Sequence, residues 1–459
     1  MLKGYSEYKD VESNWIWNIP TDWHWKKIKE IAPFVNRGNT PNYSDIGVKV
    51  VNQATFSKGR WDIHDVRYTS ANITKSKGLL KVNDILIAST GGGILGKVFL
   101  FSEDDQYIAD SHVTIIRVKK EIILPEYLYF QLKIKYELIN AVLAKGSTNQ
   151  TELQRQWLKD FQIPVPPKPE QDKIVQFLDW KISEMNHFIH QKKKQIKLLE
   201  ELKYTQIDQY ITKGLNPSVS MKESKVEWIG AIPEHWDVDH IKQHFKVKKR
   251  IAGKEGYDVL SITQQGIKKK DISSNEGQMA QSYANYQFVY PGDFAMNHMD
   301  LLTGYIDISK QFGVTSPDYR VFTLSDSEHC FAPFYLRVFQ IGYKRRIFYK
   351  FGKGAANQGR WRLPITAFYD YAIQVPPIDE QREIARQCDE VEKQINEMIS
   401  GINKEITLVE ELRTKLISDV VTGQVDVRDV KIPAYETKTD IINSEDDTDE
   451  ENLNESMEE

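Results

Sequence analysis

The strongest constraint on this 459-residue chain is that it says the same thing twice. Trp15-Ile16-Trp17-Asn18-Ile19-Pro20-Thr21-Asp22-Trp23 returns as Trp228-Ile229-Gly230-Ala231-Ile232-Pro233-Glu234-His235-Trp236, and Lys145-Gly146-Ser147-Thr148-Asn149-Gln150 returns as Lys353-Gly354-Ala355-Ala356-Asn357-Gln358. Val165-Pro166-Pro167-Lys168-Pro169-Glu170-Gln171 returns as Val375-Pro376-Pro377-Ile378-Asp379-Glu380-Gln381, and Leu198-Leu199-Glu200-Glu201-Leu202 as Leu408-Val409-Glu410-Glu411-Leu412. All four matches are collinear, at offsets of 208 to 213 residues. That period is far longer than the 20–50 residues of a solenoid unit. The chain is therefore two copies of one module, each a variable globular part followed by a helical part that opens at Pro-Pro.

In the helical parts, Leu178, Ile182, Met185, Ile189, Ile196 and Leu199 follow the 4-3 spacing of a coiled-coil seam, interrupted at Lys192. The second copy runs Ile384, Cys388, Val391, Ile395, Met398, Ile402, Val409, Leu412 and Leu416, interrupted at Glu405. No Pro or Gly falls between Gln171 and Thr212, a stretch that as helix would be about 63 Å long. Two equivalent helices in one chain bury their seams most simply against each other, and around a twofold axis they lie antiparallel. With their ends aligned, Lys192 then falls within about a turn of Glu405. Either the two form a register-setting pair, or both run their stems to the surface.

The globular parts read as mixed α+β. Asp84–Ala88, Val98–Phe101 and Val113–Val118 have strand character, and Pro125–Val142 a helical one. The second copy offers strands over Val289–Met296, Tyr305–Ile308 and Tyr319–Leu324 and a helix over Tyr335–Tyr343.

Charge needs to be read by segment. The net charge is −4, but Asp440–Glu459 carries ten carboxylates and no Lys or Arg, so the rest of the chain stands at +6. The acidic block has the composition of a disordered tail. No apolar run approaches a membrane span, the N-terminus lacks a secretory h-region, and Cys330 and Cys388 form neither a disulfide framework nor a metal-ligand spacing. A cytoplasmic protein without a metal site is the expectation.

Gly91-Gly92-Gly93-Ile94-Leu95-Gly96-Lys97 imitates a phosphate-binding loop. The hydroxyl that would hold magnesium is replaced by Val98, and the second copy keeps only Gly304, so a glycine-rich turn between strands is the better reading. No metalloprotease, serine-hydrolase or methyltransferase signature is present. Glu201-Leu202-Lys203 resembles the end of a nuclease motif, yet an ordinary charged helix face explains it.

Residues suited to DNA are more suggestive. Each copy carries Lys-Gly, small residues, then Asn-Gln: Lys145, Gly146, Thr148, Asn149 and Gln150, and Lys353, Gly354, Asn357 and Gln358, followed by Arg360 and Arg362 around Trp361. Asn and Gln can bond an adenine edge bidentately, Lys can meet phosphate, and Gly lets a backbone approach closely. A turn with a helix cap is the alternative. Basic clusters accompany the second loop at Lys248-Lys249-Arg250 and Lys344-Arg345-Arg346, and a sparser set, Arg37, Lys58, Arg60 and Lys97, accompanies the first. Such groups would supply salt-dependent affinity while polar loops read bases.

Together, the Trp-Ile-x-x-Ile-Pro-x-x-Trp openings, the Pro-Pro-x-x-Glu-Gln junctions and the helices with Leu-x-Glu-Glu-Leu resemble the specificity subunit of type I restriction–modification systems, over about residues 13–428. The resemblance implies an α+β fold with two target-recognition domains separated by a long antiparallel two-helix coiled-coil spacer. The corresponding partition is 1–167 and 228–377 for the recognition domains, 168–213 and 378–425 for the spacer helices, 214–227 for a linker and 426–459 for an acidic tail. Each domain would read one half of an asymmetric bipartite target in double-stranded DNA. The subunit would be non-catalytic and would dock two adenine methyltransferase subunits through the helices, with Glu200, Glu201, Glu410 and Glu411 as candidates. S-adenosylmethionine, ATP and magnesium would belong to partner subunits, including the restriction/translocase subunits, and none to this chain. The acidic tail after Ile432 and the additional Trp17 and Trp25 depart from the family pattern. A scaffold spacing two protein-binding domains is the competing reading.

Overall fold

The computed structural model describes residues 3–435, apart from 14, 64–65, 71–75, 92, 141–143, 146–150, 273–279 and 355–360, and for 144–145 only the backbone. The chain divides into two compact units, residues 1–193 with 403–459, and residues 194–402.

The first unit is built on a four-stranded antiparallel sheet in the order Phe34–Arg37, Val113–Arg117, Ile85–Ala88, Val98–Leu100. Its central strands are buried on both faces, and the two-residue period of a strand divides their side chains between two cores. Ile85, Ile87 and Ile116 face the helix Pro125–Lys133, where they meet Leu128 and Leu132. Leu86, Ala88, Val113 and Ile115 face the opposite way, toward Phe101, Tyr107 and Trp61. A second sheet, ordered Tyr107–Ala109, Val48–Val51, Arg67–Thr69, Tyr43–Ser44, covers that other face.

The second unit repeats the plan with different residues. Its sheet runs Phe245–Lys248, Arg320–Leu324, Phe294–Met296, Ile306–Ile308, again antiparallel throughout. Phe294, Met296 and Phe322 face the helix Ala332–Lys344, and Ala295 and Val321 face away with Leu260 and Val289. The α+β repeat expected from sequence is thus the one observed. Some elements differ in detail. The span 289–296 is not one strand: Gln287–Val289 and Phe294–Met296 lie in different sheets, separated by a turn in which Gly292 has φ of +89°. The helix that begins at Pro125 ends at Lys133 and is followed by the short Tyr136–Leu138. Gly91 and residues 93–97 lie in a turn between strands Ile85–Ala88 and Val98–Leu100, and strand Val98–Leu100 follows where a phosphate-binding loop would require a helix.

The repeated motifs turn out to be contact partners. In the first unit, the indole Nε1 of fully buried Trp23 donates to Glu170 Oε1 at 3.1 Å, and Tyr5 Oη donates to the same oxygen. In the second, Trp236 Nε1 donates to Glu380 Oε2 at 2.9 Å while His235 Nε2 meets Oε1 at 2.7 Å. The neighbouring glutamines act alike. Gln171 Nε2 donates to the carbonyls of Ile122 and Pro166, both at 2.9 Å, and its Oε1 accepts Leu124 N–H at 2.8 Å. Gln381 Nε2 donates to His329 and Pro376 at 2.7 and 2.8 Å and accepts Phe331 N–H at 2.7 Å. One Glu-Gln dipeptide therefore ties the helix start to the opening Trp and to the strand–helix connection in each copy. Buried backbone groups that lack a ladder partner are satisfied this way.

The long helices span Lys168–Lys213 and Ile378–Val421. Each stops at a left-handed glycine, Gly214 at φ +73° and Gly423 at +76°, the C-terminal position where a Cβ is disfavoured. At Gly423 a Cβ would also lie 2.4 Å from Pro20 Cδ. Within each unit the start of one helix runs antiparallel to the end of the other. In the first unit Lys192 Nζ is 2.7 Å from Glu405 Oε2, and Arg413 Nη1 donates to Asn186 Oδ1 at 2.7 Å. In the second, Lys203 Nζ donates to Asn396 Oδ1 at 3.3 Å. The Lys192–Glu405 juxtaposition anticipated from sequence is a direct ion pair. The buried stripe of the second helix passes through Cys388, Ile395, Ile402, Ile406 and Ile417. Met398 and Leu412, assigned to the seam by a strict 4-3 count, are instead 55% and 53% exposed. A straight helix drifts about 20° per heptad against a 3.5-residue repeat, which moves the buried stripe onto other positions.

Candidate nucleic-acid interface

The sheet of the second unit opens beside a cleft of about 500 Å³, whose basic lining is Lys248, Lys249, Arg320, Lys353 and Arg362. Lys248 ends the edge strand Phe245–Lys248, and Arg320 begins the adjacent strand. Lys353 and Arg362 come from the connection that follows helix Ile347–Lys350, where their backbones bond to each other at 2.8 and 3.1 Å. The Lys-Gly…Asn-Gln loop of the second copy springs from this pair. Its Gly354 is exposed, while Asn357, Gln358 and Arg360 lie outside the described residues.

The cleft floor holds two groups that no sequence pattern marks. Arg320 is only 5% exposed; Nη2 donates to the Leu363 carbonyl at 2.8 Å, and the guanidinium lies 4.7 Å from the Phe368 ring centre. Burial pulls its pKa down to about 10. Beside it, His298 is held to about 3 by burial and by the positive charges of Arg320 and Arg362, so the ring is neutral at physiological pH. Among the described residues, Arg320 Nη1 and His298 Nδ1 have no hydrogen-bond partner. Buried polar atoms are rarely left unpaired, and these two point to a ligand or to the adjoining loop. Neither residue lies in a repeated motif, which is why sequence alone passed over them.

The first unit has the same framework with different chemistry. The Leu153 N–H donates to the Ser89 carbonyl at 2.8 Å, as Leu363 N–H does to His298 at 3.0 Å. Arg37, in the strand position of Lys248, donates Nη2 to the Leu153 carbonyl at 3.0 Å and pairs with Glu152. So one arginine holds the equivalent carbonyl in each unit, but from different strands. At the equivalent positions the second unit has Arg362 and His298 where the first has Glu152 and Ser89. Lys145 pairs its backbone with Glu152, and Gly146, Thr148, Asn149 and Gln150 lie outside the described residues.

The remaining candidates differ in their partners and exposure. Arg250 pairs with Asp293 and lies 4.8 Å from the Tyr290 ring; Arg345 reaches Asp208 and the Trp228 carbonyl, both at 3.2 Å. Lys344 sits over Tyr204 at 4.5 Å, and Lys58 is 3.4 Å from Asp62. Arg346 is exposed at a left-handed turn with φ of +53°; Arg60 and Lys97 are half-buried, and Lys97 follows the glycine-rich turn. The structure thus brings Lys248, Lys249 and Lys353 together at one cleft and leaves Arg345 and Arg250 bound to carboxylates of their own unit.

On the helices, Leu198 and Leu202 in the second unit are 57% and 54% exposed, and Leu408 and Leu412 in the first are 63% and 53% exposed. Each pair is spaced i,i+4 and so stands on one helix face, and the pairs occupy equivalent positions of the repeat. No helix among the described residues is long and apolar enough to cross a membrane.

These features coincide with a known family. The family model described as "Type I restriction modification DNA specificity domain" matches residues 20–198 and again 233–408. The chain is 25% identical over 452 residues to the putative type I restriction enzyme MjaX specificity subunit of Methanocaldococcus jannaschii, covering 93% of this chain and 99% of that relative. It is 23% identical over 431 residues to the MjaVIII specificity subunit of the same organism, covering 90% and 95%. A solved structure from work on complex assembly and conformational transition of the type I R-M system shares the fold, with a TM-score of 0.62 at 14% identity over 89% of this chain and 100% of that one. With one family model falling on both modules and spanning well over half of its length, this chain belongs to the specificity subunits of type I restriction–modification systems.

Proposed function

We propose that each globular unit reads one half of an asymmetric, bipartite target in double-stranded DNA, and that the helices fix the gap and dock two adenine methyltransferase subunits. The observation that carries this reading is a shared framework holding unlike side chains at equivalent positions. The Trp–Glu bond and the glutamine clamp recur in both units, whereas Glu152 and Ser89 in one stand where Arg362 and His298 stand in the other. A duplicated reader with two different reading surfaces suits two different half-sites. In the second unit Lys248, Lys249, Lys353 and Arg362 would meet phosphates and orient the duplex, and the Asn-Gln loop would meet base edges. In the first, Lys97, Lys145 and the Asn149-Gln150 pair would take the same parts.

The chain itself would recognise and not catalyse; S-adenosylmethionine, ATP and magnesium would be held by methyltransferase and restriction/translocase partners in the cytoplasm. The exposed leucine pairs supply an apolar docking face on each helix, flanked by Glu200, Glu201, Glu410 and Glu411. With only a mildly basic body, tight DNA binding would depend on those partners.

A salt titration of DNA binding by the subunit with its methyltransferase tests the proposal. Log K should fall linearly with log[salt], and Lys248→Ala or Lys249→Ala, each removing one cation from the phosphate backbone, should make the slope shallower by about one. Affinity that is flat in salt would favour the protein-binding scaffold.

A further inference from the structure

Away from the cleft, the second unit buries a set of side chains that its framework does not need. His244 ends the short helix Ile241–His244; Asp326 and Cys330 lie between strand Arg320–Leu324 and helix Ala332–Lys344. A ligand atom from each of the three lies within 4.8 Å of the others. His244 Nδ1 is 3.0 Å from Asp326 Oδ2, and His244 Nε2 is 3.0 Å from Asp239 Oδ2. His329 Nδ1 approaches the same Asp326 carboxylate, at 3.0 and 3.2 Å from its two oxygens. Cys330 is 2% exposed and His244 7%, whereas the His329 side chain is open to solvent.

The repeat supplies an internal control. The Ile31 carbonyl accepts Lys119 N–H at 2.8 Å as the His244 carbonyl accepts Ser325 N–H at 2.8 Å. Ile123 immediately precedes Leu124, held by Gln171, as Cys330 immediately precedes Phe331, held by Gln381. Ile31 and Ile123 are both fully buried. The fold therefore fills these two positions with isoleucine when packing is all that is asked. In the second copy they are a histidine and a cysteine, with a carboxylate and a second imidazole alongside.

We propose that His244 Nδ1, Cys330 Sγ and Asp326 form a three-ligand binding site for a divalent cation of the zinc class, with His329 hydrogen-bonded to Asp326 at its rim. The donor set of an imidazole, a thiolate and a carboxylate suits zinc and excludes the all-oxygen preference of magnesium or calcium. Asp239 then accepts the Nε2 proton of His244, the outer carboxylate that orients a metal-bound imidazole. Zinc would bind Cys330 as the thiolate, so binding releases the thiol proton to solvent and weakens as pH drops. A site here would pin the opening strand Asp237–His240, the sheet and helix Ala332–Lys344 to one another. The linear sequence carries no ligand spacing for it, because His244 lies 82 residues from Asp326 and is joined to it only by the fold.

The test uses the full chain prepared without a polyhistidine tag, loaded with zinc and passed through metal-free gel filtration, with bound metal read by elemental analysis. About one zinc per chain should remain, and a thiol reagent should label Cys330 faster after chelation. The His244→Ile/Cys330→Ile variant, which installs the residues of the first copy, should fold and retain at least tenfold less zinc; Cys330→Ser alone should weaken retention. Zinc retention equal in wild type and the double isoleucine variant overturns the proposal, as does a folded wild type that retains none. In either case the cluster is a histidine held between Asp239 and Asp326 and nothing more.

Discussion

At the residue scale, the two units show how one framework accepts different chemistry. An arginine must reach the carbonyl of Leu153 or Leu363, and the first unit supplies it as Arg37 from the edge strand, the second as Arg320 from its neighbour. Moving that arginine inward frees the edge position for Lys248 and surrounds His298 with positive charge. The consequence is measurable as pH dependence. The unfolded imidazole titrates near 6.5, the folded one only near 3, so stability is complete above about 6.5 and falls as acid is added. Between pH 6 and 4 this group should withdraw roughly 1.4 kcal/mol per pH unit. Urea midpoints of wild type and His298→Asn, compared at pH 7.5 and 4.5, should show the wild type losing more; equal losses would mean the histidine protonates freely. His298 and Arg320 were invisible in sequence because neither sits in a repeated motif, and a lone histidine reads as ordinary core. The Trp and Glu-Gln motifs were visible as repeats, but only the structure shows that Trp23 bonds Glu170 and Trp236 bonds Glu380.

At the scale of elements, the long helices were legible from their apolar spacing, the first also from the lack of Pro and Gly between Gln171 and Thr212, and their antiparallel pairing from symmetry. Which apolar residues are buried was less so. A strict 4-3 count put Leu412 and Met398 in the seam and omitted Ile406, because it does not follow helical drift over several heptads. The distinction can be tested. Ile395→Ala and Ile406→Ala, each removing a buried branched side chain, should cost about 2–4 kcal/mol in denaturant unfolding. Leu198→Ala/Leu202→Ala and Leu408→Ala/Leu412→Ala, on exposed faces, should change stability by less than ~1 kcal/mol. They should nonetheless weaken co-purification of the methyltransferase, each pair affecting the occupancy of one partner. Loss of stability without loss of partner binding would remove the leucines from the docking face. The Lys192–Glu405 pair, partly open to water, contributes at most ~1 kcal/mol.

At the scale of the whole chain, the repeat was the most informative observation, since an offset of about 210 residues divides the sequence into two modules before any element is assigned. Composition taken alone misleads: −4 overall conceals a body at +6, and the carboxylates of 440–459 lie outside the described residues. What the sequence could not convey is that His298 and Arg320 line the cleft of the second unit. On the proposed reading, the opposite charges at Glu152 and Arg362 predict half-sites that are not copies of one another. The most direct test is to express the subunit with a type I methyltransferase and map methylated adenines genome-wide, for the wild type and for a chimera carrying residues 237–374 of a relative. The account predicts a split, non-palindromic motif in which the chimera changes one half and leaves the other half intact. A single contiguous or palindromic motif, or a chimera that changes both halves or neither, would contradict it.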